Sequence, residues 1–334
     1  MSKKDLEWWK TRIRVLKGLS EEAQEFCPDV SIATDDYQIE DEDVGAWSFQ
    51  KLLTLSYYIS VYTTIAKSNF SEIFYIDLFA GDGFNFLRGI NEAIVGSPVI
   101  AYIVPRKKTK TGASKEFDEL ILVENDIVKA KRLSRVIPDN AIIFQKNAND
   151  PEVMDYIEKR MKSCKNPHYF AFIDPYCMQI KWPTLERLLK LPGDLIINFM
   201  TRPISRVWGS YHSEVKEERP SKDQFNEFFG DDSWLLVPPA RDGGSTEDLL
   251  NIYIEKIGQY RKKIIPIKVR GLTGSFCYHM IVATKQYCPW EDAINRVKSK
   301  VESVTDRRIK ELFDIFNGRQ GTIDDFFPTP PSHS

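Results

Sequence analysis

The stretch Phe74-Tyr75-Ile76-Asp77-Leu78-Phe79-Ala80-Gly81-Asp82-Gly83 decides the reading of this chain. A short apolar run, IFYIDLF (73–79), halts at AGDG, where glycines let the backbone turn tightly and approach a ligand closely. Four runs of the same kind follow: LILVE (120–124), AIIF (141–144), YFAFID (169–174) and DLIINFM (194–200). A helix-like stretch reaches from the AGDG turn to about Val104, and NDIVKAKRLSRVI, PEVMDYIEKRMKS and WPTLERLLK separate the later runs. Apolar runs alternating with amphipathic helices specify an α/β fold, a parallel sheet covered on both faces.

Upstream, residues 5–26 read as a helix with mixed faces. WSFQKLLTLSYYISVYTTIAK (47–67) is too densely apolar for a surface helix, so it is expected to be buried on much of its circumference. Downstream of 200 the alternation lapses into a polar stretch with helical patches. KIIPIKVRG and FCYHMIVATK then read as a β-hairpin, and 290–316 as a last amphipathic helix. The organisation expected is a helical extension (1–69), a cofactor-binding core (70–200), a helical insert for substrate recognition (201–262), a hairpin completing the sheet (263–289) and a C-terminal helix with tail (290–334).

Composition bounds the function. Among 334 residues, 46 Lys and Arg against 48 Asp and Glu leave a net charge of −2, which argues against a protein that coats nucleic acid by bulk charge. Six acids crowd Asp35–Asp43, a run that reads as a solvated loop or an acidic face for a basic neighbour. Five scattered cysteines, none in a CxxC pair, give no zinc or disulfide framework. The basic N-terminus lacks the apolar core of a secretory signal, and no stretch approaches a membrane span of about 18 residues. A cytoplasmic protein, with no metal and no membrane, is expected.

In an open parallel sheet, ligands bind beyond the carboxyl ends of the strands. After the first strand, Gly81 and Gly83 lack the third glycine of a dinucleotide fingerprint, since Phe86 stands there. A nucleotide-dependent oxidoreductase is thereby disfavoured. Glu124 ends the second strand, placed to accept from two ribose hydroxyls. Asn147, Ala148, Asn149 and Asp150 follow the third, with groups able to read an adenine edge. Three such features behind consecutive strands favour a nucleoside-bearing cofactor. The fourth strand ends in Asp174-Pro175-Tyr176, where a flat amine could stack on Tyr176 and donate to Asp174 or the Pro175 carbonyl. A plain strand-ending turn is the alternative.

FYIDLFAGDG, VGSPVIA, LILVEND, the AND turn, FAFIDPYC and DLIINFM resemble, in order, the three-Cys-motif partner protein family. WSFQKLLTLSYYISVY and RQGTIDDFF are similar too, so the resemblance spans roughly residues 47–327. It implies a Rossmann-like class I methyltransferase fold, S-adenosyl-L-methionine as cofactor, and a companion protein bearing the three-cysteine motif. On this chain it implies that Asp77, Phe79, Gly81 and Gly83 lie near the methionine moiety, Glu124 at the ribose, Asn147 at the adenine, and Asp174, Pro175 and Tyr176 at the reacting centre. Asp82, where the family often has Pro, adds a negative charge, and Asn147 removes one where Asp is typical. Asp-Pro-Tyr also resembles the signature of methyltransferases acting on exocyclic amines of nucleic-acid bases.

Positive charge gathers locally, with five cations in Arg106–Lys115 and others at 129–135 and 260–270. Arg202, Arg206, Trp208, Tyr211 and His212 fall within eleven residues of one another just past the fifth strand, a combination suited to phosphate and base contacts. Arg202, Arg206 and Trp208 are taken as substrate-binding, with core packing of Trp208 and Tyr211 an equal alternative. Cys177 reads as packing and His212 as an exposed polar side chain. The function expected is a methyltransferase acting on an RNA or DNA base. The alternative is a cofactor-binding module that works through the three-cysteine partner without turnover of its own.

Overall fold

The computed structural model describes residues 3–26, 46–86, 93–106, 115–137, 140–213, 221–270, 277–285 and 291–304. The acidic run 35–43, most of the basic loop after Arg106, the hairpin link 271–276, Cys27, Cys288 and RQGTIDDFF lie outside the described residues.

Helices α1 (Lys3–Phe26) and α2 (Ala46–Asn69) precede strand β1 (Glu72–Asp77). Then come β2 (Phe84–Phe86), β3 (Ala93–Val95), α3 (Ser97–Ile103), β4 (Glu119–Val123), α4 (Ile127–Val136), β5 (Ala141–Phe144), α5 (Pro151–Lys162), β6 (Pro167–Ile173), α6 (Trp182–Lys190) and β7 (Gly193–Phe199). The insert supplies α7 (Thr201–Tyr211), α8 (Lys222–Phe229) and α9 (Thr246–Gly258). Strands β8 (Lys263–Arg270) and β9 (Cys277–Thr284) and helix α10 (Glu291–Glu302) follow. Seven strands form one sheet in the order β5-β4-β1-β6-β7-β9-β8. β1, β4, β5, β6 and β7 pair in parallel, and β9 runs antiparallel between β7 and β8, so β8 points the same way as the five. The chain order reverses between β1 and β6, which is the switch point of a Rossmann-like sheet.

Alternation along the strands explains why both faces need cover. Ile73, Tyr75, Leu120, Leu122, Phe170 and Phe172 join one core, together with α1, α2, α3 and α10. Phe74, Ile76, Ile121, Val123, Ala171 and Ile173 join the other, with α5, α6, α7, α8 and α9. The N-terminal extension and the insert are therefore the two faces' lids. Helix α2 packs against β1 and β8 of the sheet and against α1, α3 and α10, which accounts for its apolar density.

The helix-like reading of residues 84–104 is corrected. Phe84–Phe86 pairs antiparallel with Ala93–Val95, and the helix starts only at Ser97. The extended Gly96 and the proline in the first turn set that start. A Cβ on Gly96 would lie 2.9 Å from the Gly83 carbonyl oxygen, so the ribbon closes only with glycine there.

The ring of Phe170 on β6 packs against Tyr58 and Tyr62 of α2 and Tyr75 of β1. Phe170→Ala is expected to cost about 3–5 kcal/mol in urea unfolding. An effect under about 1 kcal/mol would show that α2 does not share the sheet's core.

Candidate functional site

The carboxyl ends of β1, β4, β5 and β6 surround a cavity of about 480 Å³, within the roughly 300–1,000 Å³ usual for small-molecule sites. Its floor is the turn after β1. Gly81 (φ +65°) and Gly83 (φ +95°) hold left-handed conformations that side-chain-bearing residues rarely adopt. The turn is tied to β4, since Ala80 N–H donates to the Val123 carbonyl (2.9 Å) and Gly81 N–H to Glu124 Oε2 (2.9 Å). Glu124 Oε1 accepts from Asp126 N–H (2.8 Å), which fixes its carboxylate at both oxygens. An ionised carboxylate offers about four acceptor directions, so acceptor capacity remains toward the cavity.

Phe79, Gly81, Gly83, Glu124, Asn147, Asp174 and Tyr176 all border this cavity. Asp77 does not. Its carboxyl is fully buried behind the turn, accepting from Tyr75 O–H (3.0 Å) and Phe79 N–H (3.1 Å), with the Ser97 hydroxyl a further partner. Direct contact of Asp77 with a ligand is thus corrected to support of Phe79 and Ser97, and Ser97 itself borders the cavity. Asp82, the extra acid, lies 3.6 Å from Arg132, so its charge is offset from α4.

Asn147 uses its side-chain oxygen to accept from Asn149 N–H (2.8 Å) and from the Asn149 amide (3.1 Å). Among the described residues its own NH₂ makes no hydrogen bond, so it presents donors. Asn149 accepts from Lys181 N–H (2.9 Å) and donates to the Gln179 carbonyl (2.8 Å), stapling the turn after β5 to the turn after β6.

Asp174 sits at the end of β6. Its Oδ1 accepts from the Asn198 amide of β7 (2.7 Å), and its Oδ2 forms an ion pair with Lys51 of α2. Neither partner was anticipated from sequence. Lys51 stands 123 residues away on a densely apolar helix, and no local motif marks it. Pro175 is buried and does not line this cavity. Tyr176 is 68% exposed, and its N–H donates to Gln179 Oε1 (2.8 Å).

A second, wider cavity of about 1110 Å³ adjoins the first, and Asn147, Tyr176 and Gln179 border both. Arg206 borders the second cavity, whereas Arg202 borders a third between α7, α9 and the β8–β9 edge. Trp208 is corrected: it is 2% exposed and packed in the core, with its ring edge-on to His212. Helical geometry separates these residues. At about 100° per residue, Trp208 points roughly 120° away from Arg202 and follows the core-facing Ile204. Tyr211 likewise packs edge-on against Phe225 and Trp234. Cys177 takes a left-handed conformation (φ +54°), and burial pushes its thiol pKa up, away from nucleophilic use.

Among the described residues, no group of three His, Cys, Asp or Glu side chains could hold a metal ion, and no helix is long and apolar enough to cross a membrane. No family model matches the chain, and no curated protein matches it. Solved structures do. A protein from Legionella pneumophila, LPL1258, aligns over 79% of this chain and 92% of its own at 10% identity, with a TM-score of 0.42. The plantazolicin methyltransferase BamL, solved with a triazolic desmethylPZN analog and SAH, aligns over 94% of each chain at 13% identity, with a TM-score of 0.35. Both scores are below 0.5.

Burial holds the Asp77 carboxyl pKa up at about 7, against an unfolded value near 3.8. Its protonation therefore favours the fold fully below about pH 4, and that contribution is lost as pH rises through 7. Asp77→Asn keeps an acceptor without the charge. The variant is expected to gain stability over wild type at pH 8, by about 4 kcal/mol at most, with the gap closing toward pH 4 in urea titrations. A gap independent of pH would refute the buried-proton assignment.

Proposed function

We propose that the chain is an S-adenosyl-L-methionine-dependent methyltransferase acting on an exocyclic amine of an RNA or DNA base. The observation that carries this reading is the pair of adjoining cavities with Tyr176, Gln179 and Asn147 as their common wall. One has the size and lining for a nucleoside-bearing cofactor, and the other is open and wide enough for a base.

The residues fit that cofactor chemically. The glycine turn admits close backbone approach, Glu124 retains acceptor capacity for ribose hydroxyls, and the Asn147 amide offers donors to the ring nitrogens of adenine. When bound, S-adenosylmethionine supplies an electrophilic methyl group. Asp174 then accepts a hydrogen bond from the acceptor amine, and Tyr176 stacks on the ring that carries it. Lys51 and Asn198 fix the Asp174 carboxylate, so the amine lone pair is aimed by a rigid acceptor, a proximity contribution. Lys51 and Asn198 are positioning residues in this scheme.

The family resemblance supports a companion protein with a three-cysteine motif as partner, and we include that partner in the proposal. Calorimetry is expected to give saturable heat with S-adenosylmethionine and none with NAD, and weaker binding for Glu124→Gln. Absence of heat at millimolar S-adenosylmethionine would end the proposal. Tritiated-methyl transfer to total tRNA, rRNA or DNA is expected, falling at least about tenfold for Asp174→Ala, as for loss of about 1.4 kcal/mol of transition-state stabilisation. Tyr176→Ala is expected to raise KM for the acceptor more than for the cofactor. Cofactor binding without transfer to any acceptor, even with the three-cysteine companion added, would favour the non-catalytic module instead.

A further inference from the structure

Gln179 lines both adjoining cavities, and the reaction proposed above gives it no part. Most of its polar groups are spent on the turn after β6. Its N–H donates to the Tyr176 carbonyl (3.3 Å), its carbonyl accepts from the Asn149 amide (2.8 Å), and its Oε1 accepts from Tyr176 N–H (2.8 Å). The last bond decides which way the side-chain amide faces, because a backbone N–H can be met only by the amide's oxygen. The side-chain NH₂ is thereby turned away from the Tyr176 N–H, and among the described residues it makes no hydrogen bond. An exposed residue at the wall of two cavities thus presents donors alone, in an orientation fixed by Tyr176 itself.

Tyr176 is the ring on which the acceptor base stacks in the proposed reaction, and Asp174 accepts from the base's amine. What lies next to that amine differs between bases. Adenine flanks it with N1 and N7, and cytosine with N3, each a bare lone pair. Guanine flanks it with the N1–H donor and with N3, which lies on the sugar side. An acceptor for the amine beside a donor for a ring nitrogen is the pairing by which a single Asn or Gln reads adenine. Here two side chains on one turn divide it: Asp174 supplies the acceptor and Gln179 the donor. Against guanine the same donor would face an N–H, which leaves both groups without a partner. We infer that the Gln179 side-chain NH₂ donates to the ring nitrogen beside the acceptor amine, and so selects adenine or cytosine over guanine. This inference rests on the nucleic-acid-base reading of the second cavity.

The test is methyl transfer to 20-nucleotide strands of uridine or thymidine that carry one central adenine, cytosine or guanine. Uracil and thymine have no exocyclic amine, so the label reports the single base. Wild type is expected to methylate the adenine or the cytosine strand, with guanine at least about tenfold behind in kcat/KM. On the preferred base, exchanging the contacted nitrogen for C–H, in 1-deazaadenine, 7-deazaadenine or 3-deazacytosine, is expected to cost wild type about fivefold to a hundredfold. Gln179→Glu keeps an oxygen for Tyr176 N–H and loses only the donors. It is expected to lose a similar factor on the natural base and nothing further on the deaza base, a non-additivity that a merely structural residue would not give. If the variant does not fold, the deaza series on wild type carries the test alone. A preference for guanine, or indifference of wild type to every deaza replacement, would overturn the inference. If no short strand accepts methyl, nucleosides digested from labelled tRNA, rRNA or DNA are read instead: label on an adenine or cytosine amine supports it, and label on guanine overturns it. The two proposals fail separately. Absence of transfer to any nucleic acid defeats the methyltransferase reading and this inference with it, whereas transfer indifferent to Gln179→Glu and to the deaza bases defeats the Gln179 contact alone.

Discussion

Everything in this molecule depends on five parallel strands, four of which, β1, β4, β6 and β7, are buried on both faces. A strand in that position holds a polar side chain along its length only where a partner meets it, as Tyr62 meets His168 and Asp174 meets Asn198, because burial otherwise takes the group out of water uncompensated. Polar groups are therefore driven to the strand ends. With all five strands pointing the same way, the ends carrying the turns after β1, β4, β5 and β6 collect at one edge of the sheet. The two adjoining cavities there are lined by backbone N–H groups, amides and carboxylates held by one another, as in Glu124 with Gly81 and Asp126 in the first, and Asn149 with Lys181 and Gln179 in the second. Packing decides where chemistry is possible.

That constraint also explains what could be read from the chain. The five apolar runs and the hairpin place the strands, and reading the residue after each run finds Glu124, Asn147 and Asp174 at one cavity. The residues not found were those that reach the cavity from elsewhere. Lys51 and Asn198 meet at Asp174 through a helix and a neighbouring strand, and nothing within a few residues of either announces it. Asp77 and Trp208 failed in the opposite direction. Each has the right chemistry near the right strand end, but Asp77 turns behind the glycine loop and Trp208 follows the core side of α7. Residue type and chain position specify proximity; the direction of a side chain comes from helical phase and burial.

The turn after β1 was legible in its glycines and illegible in what comes after them. Phe84 and the Ile94-Val95 pair look compatible with a helix until Gly96 is seen against Gly83, where a single Cβ would obstruct the approach. The ribbon of β2 and β3 is thus a product of a contact between Gly83 and Gly96, thirteen residues apart, which local periodicity does not encode.

Tyr176 and Gln179 belong to two chambers at once. A wall held in common makes the two occupancies a single thermodynamic quantity: whatever ordering of the exposed Tyr176 ring the first ligand brings, the second is spared, by the same amount in either order of arrival. Filling one chamber is then a statement about the other, and the protein's affinity for either ligand has no value that can be quoted without naming the state of its neighbour.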